Sequence, residues 1–403
     1  MTRHVRPADI RGVSRLVVDA TLGLASLVET MHHNILRTPG IFGKATQKPA
    51  SGITGFVYKS IRGVTRLVGG SIDAILGRLV PFFSGEASSQ EREAVLAALN
   101  GVLGDHLQTG ANPLAIAMQL RRDGQALELN RAALAAAIPA ATGKVLLLVH
   151  GLCMNDLQWR RNEHDHGAAL AADAGFTPIY LHYNSGLHIS TNGRAFADQI
   201  EALLRAWPVH VDELAILAHS MGGLVARSAC HYGELARHDW LRHLRKLVFL
   251  GTPHHGAALE RGGNWVDLLL DASPYTTAFA RLGKIRSAGI TDLRFGSVVD
   301  EDWGQRDRFA RSRKPCRVVP LPAQVKCYAI AASIANRRGK LSERLLGDGL
   351  VSVASALGED PSGRGNLALP KRRQWIGYGM NHMDLLDRGE VYARIKRWLQ
   401  PVR

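Results

Sequence analysis

From Lys144 onward the chain alternates between short apolar runs and longer stretches in which apolar residues recur every three to four positions. The runs are KVLLLVHG (Lys144–Gly151), TPIYLHYNS (Thr177–Ser185), ELAILAHS (Glu213–Ser220) and KLVFLGTPHHG (Lys246–Gly256), with VKCYAIAAS (Val325–Ser333) and RRQWIGYG (Arg372–Gly379) later. Runs this short and this rich in Val, Ile and Leu predict strands buried on both faces. Helical patterns such as GRAFADQIEALLRAW (Gly193–Trp207) separate the first three. The order βαβα therefore predicts a mostly parallel, twisted sheet with helices on both faces. Before it, AIAMQLRRDGQALEL (Ala115–Leu129) alternates apolar and polar residues about Asp123-Gly124, the pattern of a β-hairpin with a tight turn. Residues 257–320 lie between two predicted strands and are too many for a plain connection, so a cap or lid insertion is expected there.

The first hundred residues follow another rule. IRGVSRLV (Ile10–Val17) echoes IRGVTRLV (Ile61–Val68), and each opens a segment with apolar residues at helical spacing and arginines on the other side. Two amphipathic helices around a Gly/Pro/Lys-rich connector, Thr38–Gly55, are predicted. Such a hairpin can lie on a membrane with its arginines toward anionic headgroups, cover the mouth of a site, or pack as an ordinary appendage. A further helix is expected from Ser88, where Ser-x-x-Glu ending at Glu91 forms a capping box. The chain thus divides into a helical, amphipathic region, 1–105, and an α/β domain, 113–403.

Composition narrows the partners. The 403 residues carry 50 Lys and Arg against 35 Asp and Glu, a formal net charge of +15. That balance suits an anionic partner, such as a phospholipid surface or a phosphate-bearing substrate, or serves solubility alone. No nucleic-acid-binding motif accompanies it, so nucleic acid is not expected as a partner. Cys153, Cys230, Cys316 and Cys327 are spaced too widely for a CxxC redox or zinc site, and reduced thiols in a cytoplasmic protein are the expectation. The run after Arg6 carries Asp19 and no clear cleavage site, so no signal peptide is expected. No apolar segment reaches the length of a membrane span. Contact with the inner membrane face, if made, falls to residues 1–82.

The candidate chemistry sits at the strand ends. In ELAILAHSMGGLVARSA (Glu213–Ala229) an apolar strand runs through Ser220 into an apolar helix. A sharp turn there strains the serine and displays its oxygen at a helix amino terminus, and Gly222 and Gly223 let the helix approach the strand. A serine nucleophile needs a base and the base an orienting acid. Asp348, in GDGLVS, and His382, in MNHMDLL, follow late strands; an Asp-Gly turn and a helix cap are their structural alternatives. Asp360, Asp384 and Asp387 are reserve acids, none of them directly after a strand. The oxyanion of acyl transfer needs two backbone N–H donors, expected from Met221, after the nucleophile, and Leu152, in the loop after KVLLLVHG. His254 and His255 are expected on the rim of the site, and NEHDHG (Asn162–Gly167) is expected to open a helix rather than bind zinc. Asn184 and Ser185 stand near the pocket or are simply loop polar residues.

Together VHGL, AHSMGG, GTPHHG, GDGLVS and MNHMDLL resemble the α/β-hydrolase superfamily, in particular its bacterial lipase and esterase branch and the similar GPI-inositol-deacylase-like hydrolases. The resemblance spans about Lys144–Leu399. It implies an α/β-hydrolase fold, a Ser220, Asp348 and His382 triad, and hydrolysis of a carboxylic ester, with glycerolipid or other acyl esters favoured as substrates. Ala218 stands where the family's elbow has its first glycine, at the cost of one methyl group. Some members hold calcium near the position of Asp384; no second acidic ligand is recognisable here, and no metal or other cofactor is expected. The same triad serves an acyltransferase or a thioesterase, and a non-catalytic, membrane-associated binding module is the alternative of another class.

Overall fold

The computed structural model describes residues 89–256, 287–303, 316–336, 347–360, 363 and 365–400. The expected hairpin in 1–82 lies outside them, as do 257–286 and 304–315 of the expected cap. By Cα packing the chain divides into a unit of residues 1–92 and 107–114 and a unit of residues 93–106 and 115–403. Helix α1 (Ser89–Thr109) gives its residues 93–106 to the second unit.

Among the described residues, that unit carries eight strands. The predicted hairpin is present as β1 (Gln119–Arg122) and β2 (Gln125–Ala126), with Asp123 and Gly124 in the turn, both at positive φ. The parallel strands are β3 (Lys144–Val149), β4 (Thr177–His182), β5 (Glu213–His219), β6 (Leu244–Leu250), β7 (Lys326–Ser333) and β8 (Gln374–Tyr378). They form one sheet in the order β2-β1-β4-β3-β5-β6-β7-β8. The pairings of β1 with β2 and with β4 are antiparallel; every pairing from β4 to β8 is parallel. In register, Leu146 pairs with Ala215 and Leu148 with Leu217.

Period-two alternation sends those residues to one face, where they meet Trp159, Leu170 and Phe176 with Val391, Ile395 and Trp398. The last three belong to α7 (Gly389–Leu399), and Leu170 to α3 (His166–Ala174); the short α2 (Arg131–Ala137) precedes β3. Helices α4 (Ile189–Ala206) and α5 (Met221–Leu235) pack together, Gly193 of one against Ser228 of the other. A leucine wholly withdrawn from water contributes about 2 kcal/mol, so β3 and β5, buried over most of their length, anchor the fold.

The strand order also sets where a site can form. β4 lies on one side of β3 and β5 on the other. The connection from β3 to β4 therefore runs one way along the sheet and that from β4 to β5 runs back past β3, which opens a crevice at the carboxyl ends of β3 and β5. From α1, Gly104 O accepts from the Asn184 side chain at 3.0 Å, and Gly101 O accepts from Ser287 Oγ at 2.7 Å. These bonds brace the loop after β4 and the start of α6 (Ala288–Phe295).

Candidate functional site

Ser220 ends β5 and begins α5. Its φ of 54° and ψ of −127° lie where a residue with a Cβ is strained, at a cost of about 1–3 kcal/mol. Serine is a favoured helix cap, yet the Ser220 hydroxyl makes no capping bond. The backbone conformation turns it away from the helix it precedes. Backbone bonds hold the turn: Ser220 N–H donates to Leu250 O at 2.8 Å, and Gly223 N–H to Ser220 O at 3.0 Å. The approach of α5 to β3 is close. A Cβ on Gly222 would stand 2.4 Å from Val149 O and 2.5 Å from His150 O, so this glycine is required, whereas Ala218 is accommodated within the buried strand.

His382 and Asp348 meet across 34 residues of sequence. The imidazole Nδ1–H donates to Asp348 Oδ2 at 2.6 Å. Asp348 Oδ1 accepts from the N–H groups of Leu350 (2.9 Å) and Val351 (2.8 Å), and His382 N–H donates to Asp348 O at 3.1 Å. One carboxylate oxygen is thus fixed by the loop and the other faces the ring. Because a carboxylate accepts, the ring proton sits on Nδ1 and the lone pair on Nε2. That Nε2 is buried without a hydrogen-bond partner. A Cβ on Gly251, the residue after β6, would stand 3.0 Å from His382 Cε1, so the strand end whose Leu250 O holds Ser220 also packs against the His382 ring.

The other acids are engaged elsewhere. Asp384 Oδ2 accepts from Asn381 N–H at 2.9 Å, Asp387 pairs with Arg161 at 3.2 Å, and Asp360 accepts from Gly365 N–H at 3.0 Å.

Leu152 lies in the loop after β3 beside the elbow: a Cβ on Gly151 would stand 3.0 Å from Ser220 Cβ. Met221 is the first residue of α5, and N–H groups at that position have no intrahelical acceptor. The next residue after Leu152, Cys153, takes a left-handed φ of 59° and donates its N–H to Ser185 Oγ at 3.0 Å. Burial pushes the Cys153 thiol up to about 12. Asn184 and Ser185 are both buried; Ser185 braces this loop, whereas the Asn184 side chain is turned to Gly104 O of α1.

His254 departs from the expected rim position. It is buried, its ring 4.6 Å from Phe249 and its Nδ1 3.4 Å from Arg227 Nη1. The apolar seat that β6 offers and the turn at Gly256 direct it inward; its neighbour His255 is half-buried. NEHDHG does open a helix: Asp165 caps α3 by accepting from Ala168 N–H at 2.9 Å. Sequence reasoning passed over His150 and His219. His150 is stacked on Tyr183 at 4.3 Å and donates Nδ1–H to Gly151 O at 2.8 Å. Burial lowers it to about 3. His219 lies with its ring centroid 4.7 Å from that of His382, and burial holds it well below the usual histidine range. A histidine flanking each of two predicted site loops was the available signal.

The sheet order, the parallel pairing and the strained strand-to-helix serine define an α/β-hydrolase fold. A family described as a domain of unknown function (DUF7379) matches residues 120–298, less than half of the chain. No curated protein matches the sequence. Among solved structures, the chain is similar to the mature lipase of Bacillus licheniformis, with 17% identity, 71% of this chain and 98% of that chain covered, and a TM-score of 0.41. For lipase B of Aspergillus fumigatus the values are 13%, 70%, 55% and 0.40, so the chain spans about half of that protein. For an esterase of Thermogutta terrifontis they are 15%, 64%, 90% and 0.36.

Proposed function

We propose that this chain is a serine carboxylester hydrolase, with Ser220 as nucleophile, His382 as general base and acid, and Asp348 as the orienting acid. The observation that carries it is the His382–Asp348 pair at 2.6 Å, with the lone-pair nitrogen buried and unpartnered, in the fold that displays Ser220 strained and uncapped. His382 Nε2 takes the proton of Ser220 Oγ as the oxygen attacks the ester carbonyl. Asp348 stabilises the imidazolium. The N–H groups of Leu152 and Met221 receive the developing oxyanion. His382 then returns the proton to the leaving alcohol, and water, activated by the same nitrogen, releases the acid from Ser220.

A fluorophosphonate probe and a series of p-nitrophenyl esters test the proposal. Wild-type protein should be labelled and should hydrolyse the esters, and Ser220→Ala should lose both. Absence of labelling in the wild type, or equal labelling of Ser220→Ala, refutes it. Product analysis with a competing alcohol or with acyl-CoA as donor separates hydrolysis from acyl transfer and thioester cleavage.

Lipid acyl esters are the substrates favoured by the resemblance to bacterial lipases and by the basic amphipathic segments in 1–82. None of the described helices is long and apolar enough to cross a membrane. Flotation of the full chain with anionic and neutral liposomes tests a surface contact through 1–82; equal binding to both refutes an electrostatic one.

A further inference from the structure

The turn that carries His382 is short, and its polar ends need partners. Met383–Leu386 form a single 3-10 turn, and His382 makes no side-chain cap there. The amide side is satisfied locally: Asn381 Oδ1 accepts from Met383 N–H (2.9 Å) and Asp384 N–H (3.1 Å). The carbonyl side is met from elsewhere. His219 Nε2 lies 3.3 Å from His382 O, and His166 Nε2 lies 3.0 Å from Leu385 O.

A carbonyl only accepts, so both imidazoles carry their proton on Nε2. For His166 this leaves Nδ1 as an acceptor, and His164 Nε2–H supplies the donor at 2.7 Å. The chain of bonds runs from His164 through His166 to Leu385 O, with each tautomer fixed by the next partner. His166 opens α3, where the helix dipole disfavours a cation. Burial, and to a lesser extent His164, lower His166 to about 4. Around it stand His164 and the ring of Tyr392, stacked at 5.9 Å, whose hydroxyl goes to Asp173. Around His219 stand His382 and the edge of Trp159. Both supports are therefore neutral donors, which hold the turn without placing a positive charge beside the imidazolium that forms on His382.

We infer that His166 and His219 are positioning residues for the proposed catalytic base, each donating Nε2–H to a main-chain carbonyl of the turn that carries His382. The inference rests on the proposed function for its catalytic consequence, but its structural content is independent of it. His219 is joined to the elbow, so His166 is the residue to test.

His166→Leu removes the donor, and His166→Gln restores an N–H at a similar reach. In the leucine variant, labelling by a fluorophosphonate and kcat for p-nitrophenyl acetate should both fall about tenfold with KM little changed, as expected when a reacting group loses its alignment. The glutamine variant should recover most of the loss. The downfield proton NMR resonance of the His382 Nδ1–H, bonded to Asp348, should move in His166→Leu and return in His166→Gln. This second readout needs no activity. If the wild type is neither labelled nor active, the proposed function fails, while that resonance still supports or overturns the positioning role.

Unchanged kcat and an unmoved resonance, with only a lowered melting temperature, would overturn the inference. Should His166→Leu not fold, His164→Leu frees the His166 ring from its outer partner. It should shift the same resonance and slow labelling about threefold, the scale of one weakened hydrogen bond; no change in either overturns the inference.

Discussion

Lowering the pH from 8 to 5 should remove several kcal/mol of stability. His150, His166, His219 and His254 are all buried. Burial lowers His150 to about 3 and His166 to about 4, and holds His219 and His254 well below the usual range. In the unfolded chain each titrates near 6.5. Above that pH neither state binds the proton, and the stability is fully present. As the pH falls from 6.5 toward the folded values, only the unfolded state takes up protons, and stability is lost. At pH 5 the loss is about 2 kcal/mol for each of His150 and His166, or about 4 kcal/mol for the two, and His219 and His254 add to it in the same direction. The whole stability of a domain is typically about 5–15 kcal/mol. Guanidinium unfolding followed through the buried Trp159, Trp207 and Trp240, at steps from pH 8 to pH 5, measures the loss directly. His166→Gln should reduce the difference between the two pH values by about 2 kcal/mol. Equal unfolding free energies at pH 8 and pH 5 would refute the neutral, buried state of these imidazoles.

Three further outcomes are expected. Asp348→Asn should lower kcat about a thousandfold or more by disturbing the tautomer and orientation of His382, whereas Asp387→Asn, which pairs with Arg161, should leave ester hydrolysis within about threefold; steady-state kinetics on one ester compares them. Gly222→Ala should cost at least about 2 kcal/mol, because the new Cβ meets two main-chain oxygens, while Ala218→Gly should cost no more than about 1 kcal/mol; thermal melts distinguish the two. Ser185→Ala leaves the Cys153 N–H without its acceptor and should cost about 1–3 kcal/mol, with slower fluorophosphonate labelling that Ser185→Thr restores.

The strands could be located in the sequence because burial on both faces leaves a local trace. KVLLLV and ELAILAH are apolar at nearly every position, and the structure has β3 and β5 over those residues. The Asp123-Gly124 turn is equally local, since both residues take positive φ. The inward turn of His254 has no local trace, because whether a loop histidine turns outward or inward depends on the apolar ring of Phe249 and on Arg227, 27 residues away. The support of the His382 turn left no local trace at all: His166 is 219 residues distant from Leu385.

By itself, then, the sequence determined the order of the elements, the turn at Ser220, and the chemical types available for a nucleophile, an acid and a base. Those follow from backbone propensity and hydrophobic periodicity, which act over a few residues. Tertiary structure decided which of several aspartates faces His382, which nitrogen of its ring is left for a proton, and which buried imidazoles hold its turn. Such choices depend on hydrogen bonds 2.6–3.3 Å long between residues far apart in the chain, and only the packed sheet brings those groups within reach.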